Sequence, residues 1–338
     1  MAQASSLTDL ADSSQPLRAA RLAALSDLDR ERLDELAALL ARASVERRRE
    51  IAGRLLDLSE DDATLNFEAV FAHLLGDADA ELRHRALDGL WESEDRTLLD
   101  PLLMVLGADP DAGVRAAAAA LLGNWVVRGE FDALRPRDNE RVLTALRAVA
   151  NDKAQPVELR GRAVEALGAS SQTWVHDLIE RTYRDPAPEL QLAALHAMGR
   201  NTDAAWLPTL YRELSSDDAQ RRFEAVEAAG EIGEEEAVPR LEPLIDDPDQ
   251  EVQEQAIRAL GEIGGQRALD ALGQRLHDPD PRIAEAVQAA IAAARAEEGL
   301  IGATPRTLLN GEAAELDELE EWDEDDELDD DDRDNDVE

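Results

Sequence analysis

Asp247-Pro248-Asp249-Gln250-Glu251-Val252-Gln253-Glu254-Gln255-Ala256-Ile257-Arg258-Ala259-Leu260-Gly261 is the stretch that decides the fold. Two aspartates around a proline make a turn that stops one helix and caps the next. Val252, Ala256, Ile257 and Leu260 then fall at spacings that share one face of an α-helix. Gly261 closes the stripe, where a left-handed helix cap is expected.

The same phrase recurs along the chain. It reads Asp79-Ala80-Glu81-Leu82-Arg83, then Asp111-Ala112-Gly113-Val114-Arg115 running to Gly123. It returns at Leu159-Arg160 to Gly168, Leu190-Gln191 to Gly199, Arg221-Arg222 to Gly230, and more loosely at Ile283 to Ala292. Counted from the usually aliphatic anchor, the units lie at 82, 114, 159, 190, 221, 252 and 283. The last four intervals are each 31 residues, and the single interval of 45 places an insertion near residues 124–139. Before each anchor runs a second apolar stripe, such as Val238, Leu241 and Ile245, or Leu269, Leu272 and Leu276. Each unit is therefore a helical hairpin that cannot bury its apolar face alone, and stacking supplies the core.

This pattern resembles the short HEAT repeats, of roughly 30 residues, also found in phycobilin lyase subunits. The resemblance implies an all-α fold, an α-solenoid (superhelix) of about seven to eight HEAT-type hairpins. With helix pairs about 8–10 Å apart, the rod would be roughly 70–80 Å long. Residues 1–20 read as a flexible N-terminal arm. Residues 21–66 read as a divergent capping hairpin built on Leu36, Leu39, Leu40, Ile51, Leu55 and Leu56, and residues 67–300 as the solenoid. Residues 301–338 read as a disordered acidic tail. From Glu312 onward it holds 18 acids and one base, too little apolar surface to fold alone.

Charge narrows the setting. The net charge is −41, and Lys153 is the single lysine among 35 basic residues. Loss of lysine with gain of carboxylate suits concentrated salt, where a Debye length of about 3 Å screens self-repulsion. A halophilic, haloarchaeal-style composition is the expectation. There is no cysteine, hence neither a disulfide framework nor a thiolate metal site. No signal-like start and no apolar run of about 18 residues is present, which points to a cytoplasmic protein.

Few residues in the sequence are placed to carry chemistry. An iron-dependent hydroxylase family built on HEAT-like hairpins binds metal through His-Glu pairs. Here His73, His84, His176, His196 and His277 are followed by Leu74, Arg85, Asp177, Ala197 and Asp278. No metal ligand, catalytic residue or cofactor is therefore assigned. Nucleophile-elbow, phosphate-loop and dinucleotide motifs are absent as well. Nucleic acid is disfavoured because residues 1–311 alone carry 58 acids against 34 bases. Arg83, Arg115, Arg160 and Arg222 share one repeat position and read as a structural ladder with the turn aspartates Asp79, Asp111 and Asp218.

What remains is protein binding. Second helices of HEAT hairpins line the concave side, with exposed positions two, three and six residues past the anchor. At the first of these stand His84, Ala116, Gly161, Leu192, Phe223 and Glu254. Leu192 and Phe223 are apolar in consecutive units and, with His84 and Trp91, are the interaction candidates; superhelical twist burying them is the alternative. Trp91 stands where other units carry glycine. In the tail, Leu316, Leu319 and Trp322 could form one apolar helix face on binding. The expectation is a non-enzymatic scaffold or adaptor, monomeric, holding a protein partner in its groove. A lyase-like or chaperone-like subunit acting on a protein-bound prosthetic group is the alternative, and a nucleic-acid-binding HEAT protein the second.

Overall fold

The computed structural model describes residues 10–12 and 14–302, which form seventeen α-helices and no strand among the described residues. After α1 (Ala19–Ala23) come α2 (Arg30–Leu40) and α3 (Val45–Asp61), the divergent N-terminal hairpin. Seven further hairpins follow. They are α4 (Glu68–Leu74) with α5 (Ala80–Gly89), α6 (Leu99–Ala108) with α7 (Ala112–Glu130), α8 (Pro136–Asn151) with α9 (Val157–Gly168), and α10 (Thr173–Tyr183) with α11 (Pro188–Asn201). The last three are α12 (Leu207–Glu213) with α13 (Ala219–Ile232), α14 (Val238–Leu241) with α15 (Gln250–Ile263), and α16 (Gly265–Gly273) with α17 (Pro281–Gly302).

The repeat anchors form the core as their spacing requires. Leu82, Val114, Leu159, Leu190, Val252 and Ile283 are all buried, with the alanines four residues on from most of them. Four of the second helices start on an aspartate cap: Asp79 accepts from the Leu82 amide, Asp111 from Val114, Asp218 from Gln220, and Asp249 from Glu251 and Val252. A carboxylate at this position satisfies amides that have no partner inside the helix.

The glycine closing each stripe does not act as a left-handed cap. Gly168, Gly199, Gly230 and Gly261 lie within their helices. They are needed because the next second helix passes very close. A Cβ added to Gly199 would sit 2.7 Å from the Ala228 Cα, and one on Gly230 would sit 3.0 Å from the Ala259 Cα. The left-handed residues come three positions later, at Thr202 and Gly233, with φ of 53° and 75°. Close packing of small residues in this layer, with sparse contact between neighbouring first helices, bends the stack so that the second helices lie on its concave side.

Two regions gain detail beyond the sequence reading. Within the expected flexible arm, Leu10 is buried, and Arg47 donates from Nε to the Leu10 carbonyl (2.8 Å) and from Nη2 to the Gln15 carbonyl (2.9 Å). The insertion is taken up largely by lengthening α7 to Glu130, with Trp125 and Val126 buried in the core. The tail candidates Leu316, Leu319 and Trp322 lie outside the described residues.

Candidate functional site on the concave face

The position just after each anchor holds the array together. Arg83, Arg115, Gln191, Arg222 and Gln253 each reach back six residues to a backbone carbonyl at the end of the preceding helix. Several also reach forward into the next unit. Arg83 meets Asp109 (2.6 and 2.8 Å), Arg222 meets Asp247 (2.8 and 2.7 Å), and Arg160 lies 3.6 Å from Asp185. The partners are thus not the predicted Asp79, Asp111 and Asp218. Those carboxylates are turned onto the amides of their own helices, and Asp79 also binds Arg49. Two residues before Asp79 and Asp111, Asp77 and Asp109 face the preceding unit and meet Arg48 and Arg83, whereas Ser216 holds that place before Asp218. Paired in this way, the arginine column is committed to structure rather than offered as a basic strip.

The interaction candidates separate. His84 is exposed, Leu192 and Phe223 are half-buried, and Phe223 packs against the core. They occupy equal positions on the neighbouring helices α11 and α13. Trp91 is 47% exposed, and its carbonyl accepts from Asn124 Nδ2 (2.9 Å). Its place in the repeat is the glycine position, and the residue two before the next such position is the buried Leu121, where later units carry alanine. α5 ends at Gly89, two residues before Trp91, and the side chain is partly exposed.

One turn beyond Leu192 and Phe223 lies an arrangement that the sequence reading missed. His196 on α11 faces Glu224 and Glu227 on α13, with Nδ1 3.7 Å from Glu224 Oε2 and 3.7 Å from Glu227 Oε2. One ligand-capable atom from each residue lies within 4.8 Å of the others. The carboxylates, Glu224 first and Glu227 second, push the imidazole pKa up to about 10 against the opposing effect of burial.

Further along, α15 and α17 enclose a cleft of about 430 Å³. Ile257 and Ala290 lie buried at its base, Ala286, Ala289 and Ala293 line it, and Glu254, Arg258, Glu262 and Arg282 surround it.

A family profile for HEAT repeats matches residues 67–168, 171–254 and 207–292, most of the chain. The chain belongs to the HEAT-repeat family. Among solved structures, the complex of CpcE and CpcF of phycocyanin lyase from Nostoc sp. PCC7120 is similar at 19% identity. That match covers 84% of this chain and 97% of that one, with a TM-score of 0.50. YibA of Escherichia coli matches at 18% identity over 83% of this chain and 98% of its own, with a TM-score of 0.45. A designed armadillo repeat protein in complex with the peptide (KR)4 matches at 21% identity over 60% and 99%, with a TM-score of 0.38. At these identities the likeness is one of fold. No curated protein was found to match by sequence.

In HEAT terms, the missed cluster joins the sixth position past the anchor in one unit with the third and sixth positions in the next. A search for adjacent His-Glu pairs cannot see it, because the ligand-bearing residues are 28 and 31 positions apart in sequence. Reading the concave columns across consecutive repeats would have shown it.

Proposed function

We propose that this HEAT solenoid is a non-enzymatic scaffold or adaptor that holds a helix or peptide of a partner protein on its concave face. The observation that carries this reading is the cleft between α15 and α17. Its floor is apolar, its volume fits a few side chains, and Ala289 and Ala293 at its surface are exposed. Apolar concavities with a polar rim are where partner anchors seat. The rim is mixed in charge, with Arg258 and Arg282 beside Glu254 and Glu262 and Arg282 already paired with Glu254 at 3.2 Å, so the partner segment presents apolar residues and a carboxylate for Arg258. A segment of that chemistry occurs in this chain, where Leu316, Leu319 and Trp322 are interspersed with acids. It would compete in cis with an outside partner.

The test is a tagged pull-down from native lysate in multimolar KCl, read by mass spectrometry. It compares wild type, the Ala289→Glu/Ala293→Glu variant and a chain ending at residue 311. One stoichiometric protein partner, lost in the double variant and enriched by truncation, supports the scaffold reading with a competing tail. A partner retained by the double variant removes the cleft from consideration. A bound pigment or other small molecule in place of a protein would favour the lyase-like alternative.

A further inference from the structure

The geometry points to a mononuclear binding site for a first-row divalent cation, such as zinc, formed by His196, Glu224 and Glu227 on the concave face. The site goes beyond the scaffold reading and stands independently of it.

The two carboxylates come from one face of α13, where residues three apart are neighbours, and the imidazole comes from the adjacent α11. One nitrogen, His196 Nδ1, stands 3.7 Å from an oxygen of each carboxylate. That distance is too long for a hydrogen bond, whereas the two most buried ladder pairs close fully: Arg222 to Asp247 at 2.7 Å and Arg83 to Asp109 at 2.6 Å. Donor atoms bound to zinc at 2.0–2.1 Å in a tetrahedron stand about 3.4 Å apart, close to the spacing seen here.

A second observation concerns the oxygen itself. Glu224 Oε2 is buried and accepts no hydrogen bond. A buried carboxylate oxygen without a donor is costly, and a cation between it and the imidazole would satisfy it. Two glutamates balance a divalent charge, and the ion would take the place of the proton that the same carboxylates otherwise hold on the imidazole. The mixed nitrogen and oxygen donor set suits zinc or its first-row neighbours over magnesium or calcium. Three protein ligands leave a fourth position for water or another donor. The surrounding charges are mixed. Glu165 lies close enough to act on His196, and Arg162 close enough to act on Glu224.

The experiment is titration of the full chain with zinc by calorimetry and with cobalt by visible absorption. KCl and excess magnesium are present to occupy diffuse carboxylate sites. One zinc per chain and a cobalt ligand-field band are expected. Changes outside the coordination shell already cost about 10–100-fold in affinity. Glu224→Gln/Glu227→Gln should therefore lose at least about tenfold, while Glu254→Gln, exposed elsewhere on the concave face, should bind as wild type does. Wild-type protein with no stoichiometric zinc and no cobalt band overturns the proposal whatever the variants do. So does binding that the double variant retains. If circular dichroism shows that the double variant is unfolded, His196→Gln replaces it in the same comparison.

Discussion

Arg222 and Asp247, 25 positions apart in the chain, meet as a two-pronged ion pair between consecutive repeats, both side chains nearly removed from solvent. The same guanidinium also donates to the Ser216 carbonyl at 2.8 Å. One side chain thus ties the end of α12, the start of α13 and the turn before α15. Removing one member of such a buried pair leaves the other charge without a partner, at a cost of about 3–5 kcal/mol. Asp247→Ala is expected to destabilise the array by that order in urea denaturation. Asp100→Ala removes the exposed partner of Arg141 and should change stability by under about 1 kcal/mol. Equal effects of the two substitutions would refute the ladder's role.

The same pairs set the acid limit. Burial pushes the Asp109 and Asp247 carboxyls up, but the guanidiniums of Arg83 and Arg222 outweigh it and hold both below the usual carboxylate range. Asp79 is held down chiefly by Arg49. Folded-state values below unfolded ones mean that the stabilisation is complete above the unfolded carboxyl pKa of about 3.9. It is lost as pH falls through the lower folded values. Stability measured from pH 6 downward should therefore decline below about pH 4. Asp247→Asn should show a shallower decline, because one linked proton is gone.

Close packing of the second helices makes a prediction opposite to helix propensity. Alanine is favoured over glycine in a helix by about 1 kcal/mol. Gly199→Ala nevertheless puts a Cβ 2.7 Å from the Ala228 Cα, inside contact distance of backbone that cannot yield without shifting a repeat. Overpacking of this kind costs about 1–3 kcal/mol, so the variant should melt lower than wild type. Gly107→Ala on α6 meets nothing within 4 Å and should melt at the same temperature or higher.

These glycines also show how far the sequence could be read. The 31-residue period, the hairpins and the buried anchors follow from apolar spacing alone, because a helix face is a local property. The glycine's role did not follow, since a cap and a close approach demand the same residue and only the neighbouring helix distinguishes them. Asp111 in place of Asp109 is a misassignment with a related reason. Asp109 and Asp111 look alike in the sequence, and only the fold shows which carboxylate caps its own helix and which crosses to Arg83. His196 with Glu224 and Glu227 depends on register between helices, which a pattern read along one unit does not contain. Of the apolar interaction candidates, the half-burial of Leu192 and Phe223 is likewise a matter of how tightly α11 and α13 approach.

The surface charge leads to the last prediction. A net charge of −41 on 338 residues repels itself in dilute buffer, and residues 1–311 alone, with 58 acids against 34 bases, concentrate charge in the array more than an unfolded chain does. Raising ionic strength from 0.01 M to 1 M shortens the Debye length from about 30 Å to about 3 Å, which removes most of the repulsion between exposed carboxylates. The buried Arg222–Asp247 and Arg83–Asp109 pairs are screened far less, so salt should remove repulsion while leaving the ladder intact. The melting temperature should therefore rise steadily with KCl, with helicity falling off below roughly 0.5 M, where screening is incomplete. Sucrose, which strengthens burial without screening charge, should not reproduce the rise at matched osmolality. An unchanged melting temperature from dilute buffer to multimolar KCl would show that the carboxylate surface imposes no cost on the fold, and would count against a protein adapted to salt.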